Sequence, residues 1–435
     1  MRQSLMTAQV QSFKHLIATQ QQEDLAKPVW LRAFRSNARA KFTQLSPPNS
    51  RDERYRYARL NDLLNAQYRC ESSALPMEQV QEIAQRYQGH VYVFVDGILA
   101  ATANPLPAPS RFTSFNKLMN TDTVDLSQLL ADASEDYFQQ LNDICFKDGA
   151  HLVIPKDTKI EQPIYLVYVS NTAAQFNCYR NLIEVQAHSQ VRIVECYIGV
   201  GAASEKRPHL TNASTQIYLS PAAHCTYVKL QSEHAFHISK CDIRQQQGSA
   251  LQIFALAAGG QYSRMSTSVV KVGADSECDF RYGYLGAGRQ TFDCVADVEH
   301  RYPRGKTNQL VRGIVKDQAR GIFTGKINIL QAAQKSIAVQ QSKNMLVGKE
   351  CEVYMRPQLQ VKADDVECAH GATSAKISER DLLYLQTRGI ATATAMRLIS
   401  DAHLGVLLNG FGARDLVEEP LRQATANFFR ANSRC

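Results

Sequence analysis

Between about residue 150 and residue 375, the chain is a succession of short strand-like runs with hardly any helical stripe between them. Alternation is cleanest over residues 351–361, where every second residue is apolar or proline and most of the others are polar. Side chains alternate between the two faces of a strand, so this period indicates strands with one buried face. More than 200 residues of strands without crossover helices must form a sandwich, a barrel or a β-solenoid.

The segments around this region favour the solenoid. Asn-Gly and Asp-Gly hairpin turns are missing between the runs, which counts against an antiparallel meander. Helical stripes lie on both sides of the runs, where a parallel β-helix needs caps over its ends. Trp30, Phe34, Ala38 and Phe42 recur every four residues before the runs, and Ser378 is a good N-cap for a helix behind them. The sequence therefore predicts a mainly β protein in three parts: an N-terminal helical and mixed domain (1–140), a parallel β-helix core (141–375) and a C-terminal helical domain (376–435).

Composition argues against several classes of function. Hydrophobic residues make up 44% and charged residues 21% of the 435 positions, as in an ordinary soluble protein. No apolar run reaches the ~18 residues that suggest a membrane span, so we expect no membrane association. The eleven cysteines include no C-x-x-C pair and fall mostly in apolar runs, which favours a reducing cytoplasm. The net charge of +8 is not gathered into a basic stripe, so we expect no nucleic-acid binding.

Motifs for nucleotide binding fail on inspection. Gly305-Lys306-Thr307 ends like a Walker A loop, but His300 stands where that loop needs its first glycine. Three glycines over residues 283–288 have the dinucleotide-binding spacing reversed, in a strand region rather than before a helix. We therefore interpret them as turn glycines and expect no ATP site in this chain.

Cys368 and His370 are the candidate metal ligands. Residues two apart in a strand point to the same side, so a thiolate and an imidazole would stand side by side. Such a pair can reach one soft metal ion or one iron–sulfur centre. It supplies two ligands where a stable site needs about four, so the others must come from elsewhere. The alternative is a packed cysteine beside a hydrogen-bonded histidine.

Several motifs resemble, in the same order, those of the core subunits of the Suf iron–sulfur cluster assembly system. They cover nearly the whole chain: residues 28–32, 53–57, 138–149, 321–325, 345–346, 357–359, 363–366, 368–370 and 382–390. The resemblance implies a right-handed parallel β-helix between helical domains. It also implies a non-catalytic scaffold subunit, with ATPase activity residing in a partner.

Within that family, the final motif resembles the D-type subunits. His370-Gly371-Ala372 stands where B-type members usually read His-Glu-Ala, and Ser342 takes the place of a B-type cysteine. The resemblance implies pairing with a SufB-like subunit and docking of a SufC-like ABC ATPase on the C-terminal helices. His370, and possibly Cys368, would then share iron or a nascent, transient iron–sulfur cluster with the B-type partner.

Two other functions stay open. The chain could be a purely structural adaptor in which His370 binds nothing. It could also be a carbohydrate-acting β-helix enzyme, since Asp293, Asp297 and Glu299 would share one strand face. Nothing in the sequence marks a flavin site, and flavin binding and homodimer formation by the isolated chain are likewise undecided.

Overall fold

The computed structural model describes residues 2–70, 74–121, 126–130, 135–200 and 208–430, and strands make up 43% of it. The α-helices of the described part are α1 (Arg2–Glu23), α2 (Val29–Gln44), α3 (Asn61–Asn65), α4 (Met77–Gln85), α5 (Phe115–Leu118), α6 (Ser127–Leu130), α7 (Tyr137–Cys145), α8 (Glu379–Thr387), α9 (Thr392–Gly405) and α10 (Arg414–Arg430). The strands are β1 (His90–Val95), β2 (Ile98–Ala103), β3 (Arg111–Ser114), β4 (Ala150–Ile154), β5 (Ile164–Ser170), β6 (Phe176–Val185), β7 (Gln190–Gly199), β8 (Leu210–Leu219), β9 (His224–Gln231), β10 (Phe236–Gln245), β11 (Ala250–Ala257), β12 (Tyr262–Lys271), β13 (Glu277–Gly286), β14 (Thr291–His300), β15 (Lys306–Lys316), β16 (Arg320–Ile329), β17 (Ser336–Val347), β18 (Glu352–Val361) and β19 (Val366–Lys376).

From β4 onward the chain alternates between two sheets, and each strand pairs in parallel with the strand two places along the sequence. The odd-numbered strands form a ten-stranded sheet that ends with β1 and β2, and the even-numbered strands form a nine-stranded sheet that ends with β3. The result is a β-solenoid of about eight turns. The predicted parallel β-helix is confirmed.

The N-terminal part contributes strands as well as helices. β1 pairs in parallel with β5 and antiparallel with β2, and β3 pairs antiparallel with β4. These three strands close the first end of the column within the chain itself. The domain boundaries at 140/141 and 375/376 stay predictions, although the last strand of the column does end at Lys376.

Two strands of the column, β8 and β10, carry polar residues on both faces and so lack a clear hydrophobic alternation. Inside the column, Glu195 accepts hydrogen bonds from Asn181 (3.0 Å), Thr215 (2.7 Å) and Tyr197 (2.8 Å). Buried polar groups are tolerated when they are hydrogen-bonded to one another. The interior is therefore partly a polar network, and hydrophobic alternation alone underestimates the number of strands.

The helices pack on the outer faces of the two sheets. α1, α2 and α7 cover the nine-stranded sheet, where Phe13, Leu31 and Phe138 are buried with residues of β6, β8 and β10. α9 and α10 cover the ten-stranded sheet, where Leu404 and Val417 are buried. Helices thus flank the column on both sides in sequence, as predicted. Within the described residues, no helix is long and apolar enough to cross a membrane.

Candidate metal-ligand site at the free end of the solenoid

The two last strands, β18 and β19, lie at the open edges of their sheets. β18 pairs with β16 and β19 pairs with β17, which leaves the outer edge of each without a neighbouring strand among the residues that the structure describes. Pro357 lies in the middle of β18 and has no backbone N–H to offer a further strand. β19 contains no proline. Of these two edges, β19 is the one that can accept another strand along its whole length.

The strand places the two candidate ligands on one face, as predicted. Cys368 is opposite Ala338 of β17, and His370 is opposite Gln340. Cys368 is half-buried against a small apolar cluster that includes Ile327 and Ala338, and burial raises the pKa of its thiol. His370 is exposed. The imidazole is therefore accessible at the free edge of the column, and the thiol is less exposed than the imidazole.

A polar ladder continues from His370 into the column. In the neighbouring strands, Gln340 of β17 and Gln309 of β15 occupy the same rung, and the Gln340 amide donates to the Gln309 side chain. The Gln340 side-chain oxygen is buried and has no hydrogen-bond partner in the described part of the chain. Ser342 lies one rung further along and accepts a hydrogen bond from Asn344 (3.1 Å). The end of the column is therefore lined by polar side chains beside the exposed imidazole.

β17 shows a signal that the sequence reasoning missed. Its polar residues Gln340, Ser342 and Asn344 face inward and are buried, whereas Ile337 and Val339 face outward and are 37% and 41% exposed. This reversal of the usual pattern leaves an apolar patch beside β19. Exposed apolar residues at a sheet edge are typical of surfaces that bind another protein.

Cys368 and His370 provide two potential ligands and no complete metal site. Within the described residues, no group of three or more histidine, cysteine or carboxylate side chains is arranged to hold a metal ion. A metal bound here would therefore need ligands from a second molecule, as the sequence reasoning expected.

A second set of ligand-type side chains lies inside the column and is hydrogen-bonded within itself, with His237 Nε2 left without a partner among the described residues. Glu233 accepts hydrogen bonds from Thr211 (2.9 Å) and lies 2.5 Å from His237 Nδ1 and 3.3 Å from His209 Nε2. Burial alone would raise the pKa of Glu233, but the bonds to the two histidines hold it well below its usual value. We interpret this set as a structural ion cluster.

β19 leads directly into the C-terminal helices. Ser378 caps α8, its hydroxyl accepting from the backbone N–H of Asp381 (3.2 Å), as predicted. α8 buries no residue, and Leu383 and Tyr384 are 61% and 59% exposed. Two residues, Ile377 and Ser378, connect the end of β19 at Lys376 to the start of α8 at Glu379. A force on α8 would therefore act on the strand that carries His370.

The N-terminal segment 53–59, here called the strap, crosses the outer face of the nine-stranded sheet. The ring of Tyr57 stacks on Tyr354 of β18 with 3.9 Å between centroids, and Arg320 of β16 donates to the Tyr57 carbonyl (2.7 Å). Arg356 of β18 donates to the carbonyl and carboxylate of Glu53 (3.1 and 3.2 Å). Contacts across some 300 residues leave no local pattern, so the sequence does not reveal this role of the segment.

The carboxylates proposed for a carbohydrate-acting site are mostly engaged. Asp293 is buried against Arg264 and accepts from Tyr262 (2.8 Å), and Glu299 accepts from Arg301 (2.5 Å) and an asparagine of β16. Asp297 makes no hydrogen bond or ion pair within the described residues. These three groups therefore do not form the pair of available carboxylates that glycoside hydrolysis uses.

Comparison with protein families decides the family. The SufBD core domain of SUF-system iron–sulfur cluster assembly proteins matches residues 168–403, and the SufBD N-terminal region matches residues 7–166. The chain belongs to the SufBD family. The resemblance drawn from the sequence motifs is thereby confirmed, and its matches extend over both the helical N-terminal part and the solenoid.

Individual relatives agree with this assignment. The chain is 27% identical over 378 residues to an iron–sulfur cluster assembly SufBD family protein of Synechocystis, covering 83% of each chain. It is 26% identical over 384 residues to the iron–sulfur cluster assembly protein SufD of Escherichia coli, covering 86% of this chain and 88% of that protein. SufD of Bacillus subtilis is 27% identical over 267 residues, or 60% of each chain.

Proposed function

We propose that this SufBD family member is a non-catalytic scaffold subunit that shares iron or a nascent iron–sulfur cluster with a SufB-like partner. The observation that carries the proposal is the exposed His370 on β19, whose outer edge is open, with Cys368 beside it on the same face. A two-ligand half-site at an open edge is incomplete alone and becomes useful when a second protein supplies the remaining ligands.

Pairing with the partner would use the edge of β19. A free strand edge presents backbone N–H and C=O groups that another strand can satisfy. Next to it, the exposed Ile337 and Val339 add apolar surface. A partner strand that pairs with β19 would lie within reach of His370. The same edge can pair with a second copy of this chain, so a homodimer in isolation is compatible with the proposal.

The thiol of Cys368 would join only when a metal is present. Burial favours its protonated form, so a metal must displace a proton to bind the sulfur. His370 is exposed and offers a ring nitrogen at the surface. We therefore propose His370 as the principal ligand from this chain and Cys368 as an additional one. The cluster is the cargo of the assembly.

A SufC-like ATPase would dock on the C-terminal helices. Leu383 and Tyr384 give α8 an exposed apolar face, while α9 and α10 are fixed to the solenoid. Arg281 donates to the Leu407 carbonyl (2.8 Å), and Lys316 donates to the Phe428 carbonyl (2.6 Å). In this proposal, movement of the docked ATPase subunits is transmitted through α8 to β19.

The experiment reconstitutes the complex of this chain with its B-type partner and the ATPase, then assays iron and acid-labile sulfide. We expect His370→Ala to lower cluster content at least about tenfold and Cys368→Ala to lower it less. Gly371→Ala, on the opposite face of β19, is the matched control and should leave cluster content unchanged. Normal cluster content in both ligand variants, with the complex intact, would refute the ligand role.

The second candidate function is a purely structural adaptor. The extensive contacts of the helices and the strap with the solenoid are compatible with it, since a rigid spacer needs the same contacts. It predicts that the complex assembles and that neither ligand variant affects cluster content, so the same assay distinguishes the two functions.

A further inference from the structure

A cleft of about 380 Å³ lies on the outer face of the nine-stranded sheet and extends as far as β18, in the last coil. Its floor is formed by outward-facing side chains of β10, β12, β14, β16 and β18. The strap and the first turn of α7 form its walls, with Tyr55 and Phe138 among the lining residues. Clefts of this size and mixed lining are typical of sites for small molecules.

Most charged groups around the cleft are neutralised within the protein. Lys240 is paired with Asp242 (2.9 Å), and Arg356 is paired with Glu53 (3.2 Å). Arg54 is paired with Asp52 and Arg264 with Asp293 in the same way, and the Asp136 carboxylate accepts a hydrogen bond from the Tyr55 hydroxyl (2.7 Å). These interactions fix the side chains of the walls.

Asp297 and Lys326 are the exceptions. They are cross-strand neighbours on β14 and β16, and both line the cleft. Within the described part of the chain, neither makes a hydrogen bond, and no opposite charge lies within 4 Å of either. Burial raises the pKa of Asp297 to about 6 although Lys326 lowers it. An adjacent acid and base that do not pair with each other lower the stability of the folded protein. Such destabilising arrangements are typical of binding sites.

We propose that this cleft binds a small zwitterion of the α-amino acid class. The ligand ammonium group would bind Asp297, and its carboxylate would bind Lys326. Ile238, Val295 and Phe138 provide an apolar wall for the ligand side chain. This binding is independent of the proposed cluster scaffold function.

Other ligand chemistries fit less well. An inorganic anion would be attracted by Lys326 but repelled by Asp297. A metal cation would be attracted by Asp297 but repelled by Lys326. The described residues also provide no three-ligand metal group here. A ligand that carries both charges a few ångströms apart satisfies both side chains at once.

The test measures binding of each standard α-amino acid to the purified full-length chain, by saturation-transfer NMR and calorimetry at millimolar concentration. We expect at least one to bind, and its decarboxylated amine and deaminated acid to bind at least about tenfold more weakly. Asp297→Asn and Lys326→Met should each lower the affinity for the amino acid by a similar factor. Melting curves and circular dichroism check that both variants fold.

Glu299→Gln is the matched control, because Glu299 lies two residues along the same strand outside the cleft and is bonded to Arg301. It should leave the affinity unchanged. The proposal is wrong if no amino acid binds, if Asp297→Asn and Lys326→Met bind like the parent chain, or if the one-charge analogues bind as tightly as the amino acid. Each outcome can be read without any cluster assay, so it stands apart from the His370 test.

Discussion

At the scale of single residues, the buried carboxyl groups of this protein differ in whether they are hydrogen-bonded. Glu195 and Glu233 are buried and hydrogen-bonded, whereas Asp297 is partly buried and has no hydrogen bond or ion pair within the described residues. Burial disfavours the charged form of Asp297 and raises its pKa to about 6. The cost of this arrangement can be measured without knowing any ligand.

Replacing Asp297 should stabilise the free protein at neutral pH. The folded state holds the Asp297 proton up to about pH 6, whereas the unfolded chain releases it near pH 4. This carboxyl group therefore contributes stability below pH 4 that is lost as the pH rises to 6. We expect Asp297→Asn to raise the free energy of unfolding by about 1–2 kcal/mol at pH 7.5 and by almost nothing near pH 4. Equal effects at both pH values in chemical denaturation would contradict this account.

Packing between coils also depends on single residues. The ring of Tyr284 lies so close to Gly313 on the next strand that an added Cβ would be 2.0 Å from it. Gly371, on the exposed last strand, has nothing within 4 Å of such a Cβ. We expect Gly313→Ala to lower the free energy of unfolding by about 1–3 kcal/mol and Gly371→Ala to change it by less than about 0.5. Similar denaturation midpoints for the two variants would show that the ring can move aside.

At the scale of elements, the last coil depends on contacts from distant parts of the chain. β19 is largely exposed and β18 is mostly half-buried, and the strap provides the Tyr57–Tyr354 stack and the Arg356–Glu53 bonds to β18. The strap thus links the N-terminal part to the end of the column that carries the candidate ligands.

Loss of the strap contact should loosen β18 selectively. We expect Tyr57→Ala to speed amide hydrogen exchange in β18 about tenfold while β6 and β8 stay protected, because their contacts are unchanged. Arg304→Gln, which breaks an exposed pair with Asp275 outside the strap, is the control. Uniform acceleration in all strands would mean that the strap stabilises the whole fold and has no special role at its end.

The exposed face of α8 supports a second prediction at this scale. We expect Leu383→Ser combined with Tyr384→Ser to weaken binding of the SufC-like ATPase at least about tenfold, since buried aromatic and aliphatic side chains dominate interfaces. The melting temperature should not change, because neither side chain is buried in this chain. Leu25→Ser, at a leucine that is 79% exposed in the N-terminal part, is the control. Unchanged ATPase binding by the double variant would place the docking surface elsewhere.

At the scale of the whole molecule, the sequence predicted the architecture and the shared face of Cys368 and His370 better than the contacts between coils. Local alternation identified most strands, and the spacing of Cys368 and His370 placed them on one face. Coil length, however, varies: Phe236 pairs with a residue 26 positions on, Thr291 with one 29 positions on, and Thr324 with one 32 positions on. Without a fixed repeat, the adjacency of Asp297 and Lys326 could not be read from the sequence.

The varying coil length also explains why the sequence did not predict the contacts of the strap. Its partners lie on strands that only the completed solenoid brings together, and its contacts are mostly hydrogen bonds to backbone carbonyls, which place few demands on residue type. The molecule thus joins its N-terminal segment, its last coil and its C-terminal helices around one end of the column.

The central claim is that His370 binds the cluster at the junction with the partner. The most direct measurement is pulsed electron paramagnetic resonance of the reduced complex in which only this subunit contains 15N-histidine. The account predicts a 15N hyperfine coupling to the cluster that is absent in the His370→Ala variant. A complex with full cluster content and no 15N coupling from this subunit would contradict it.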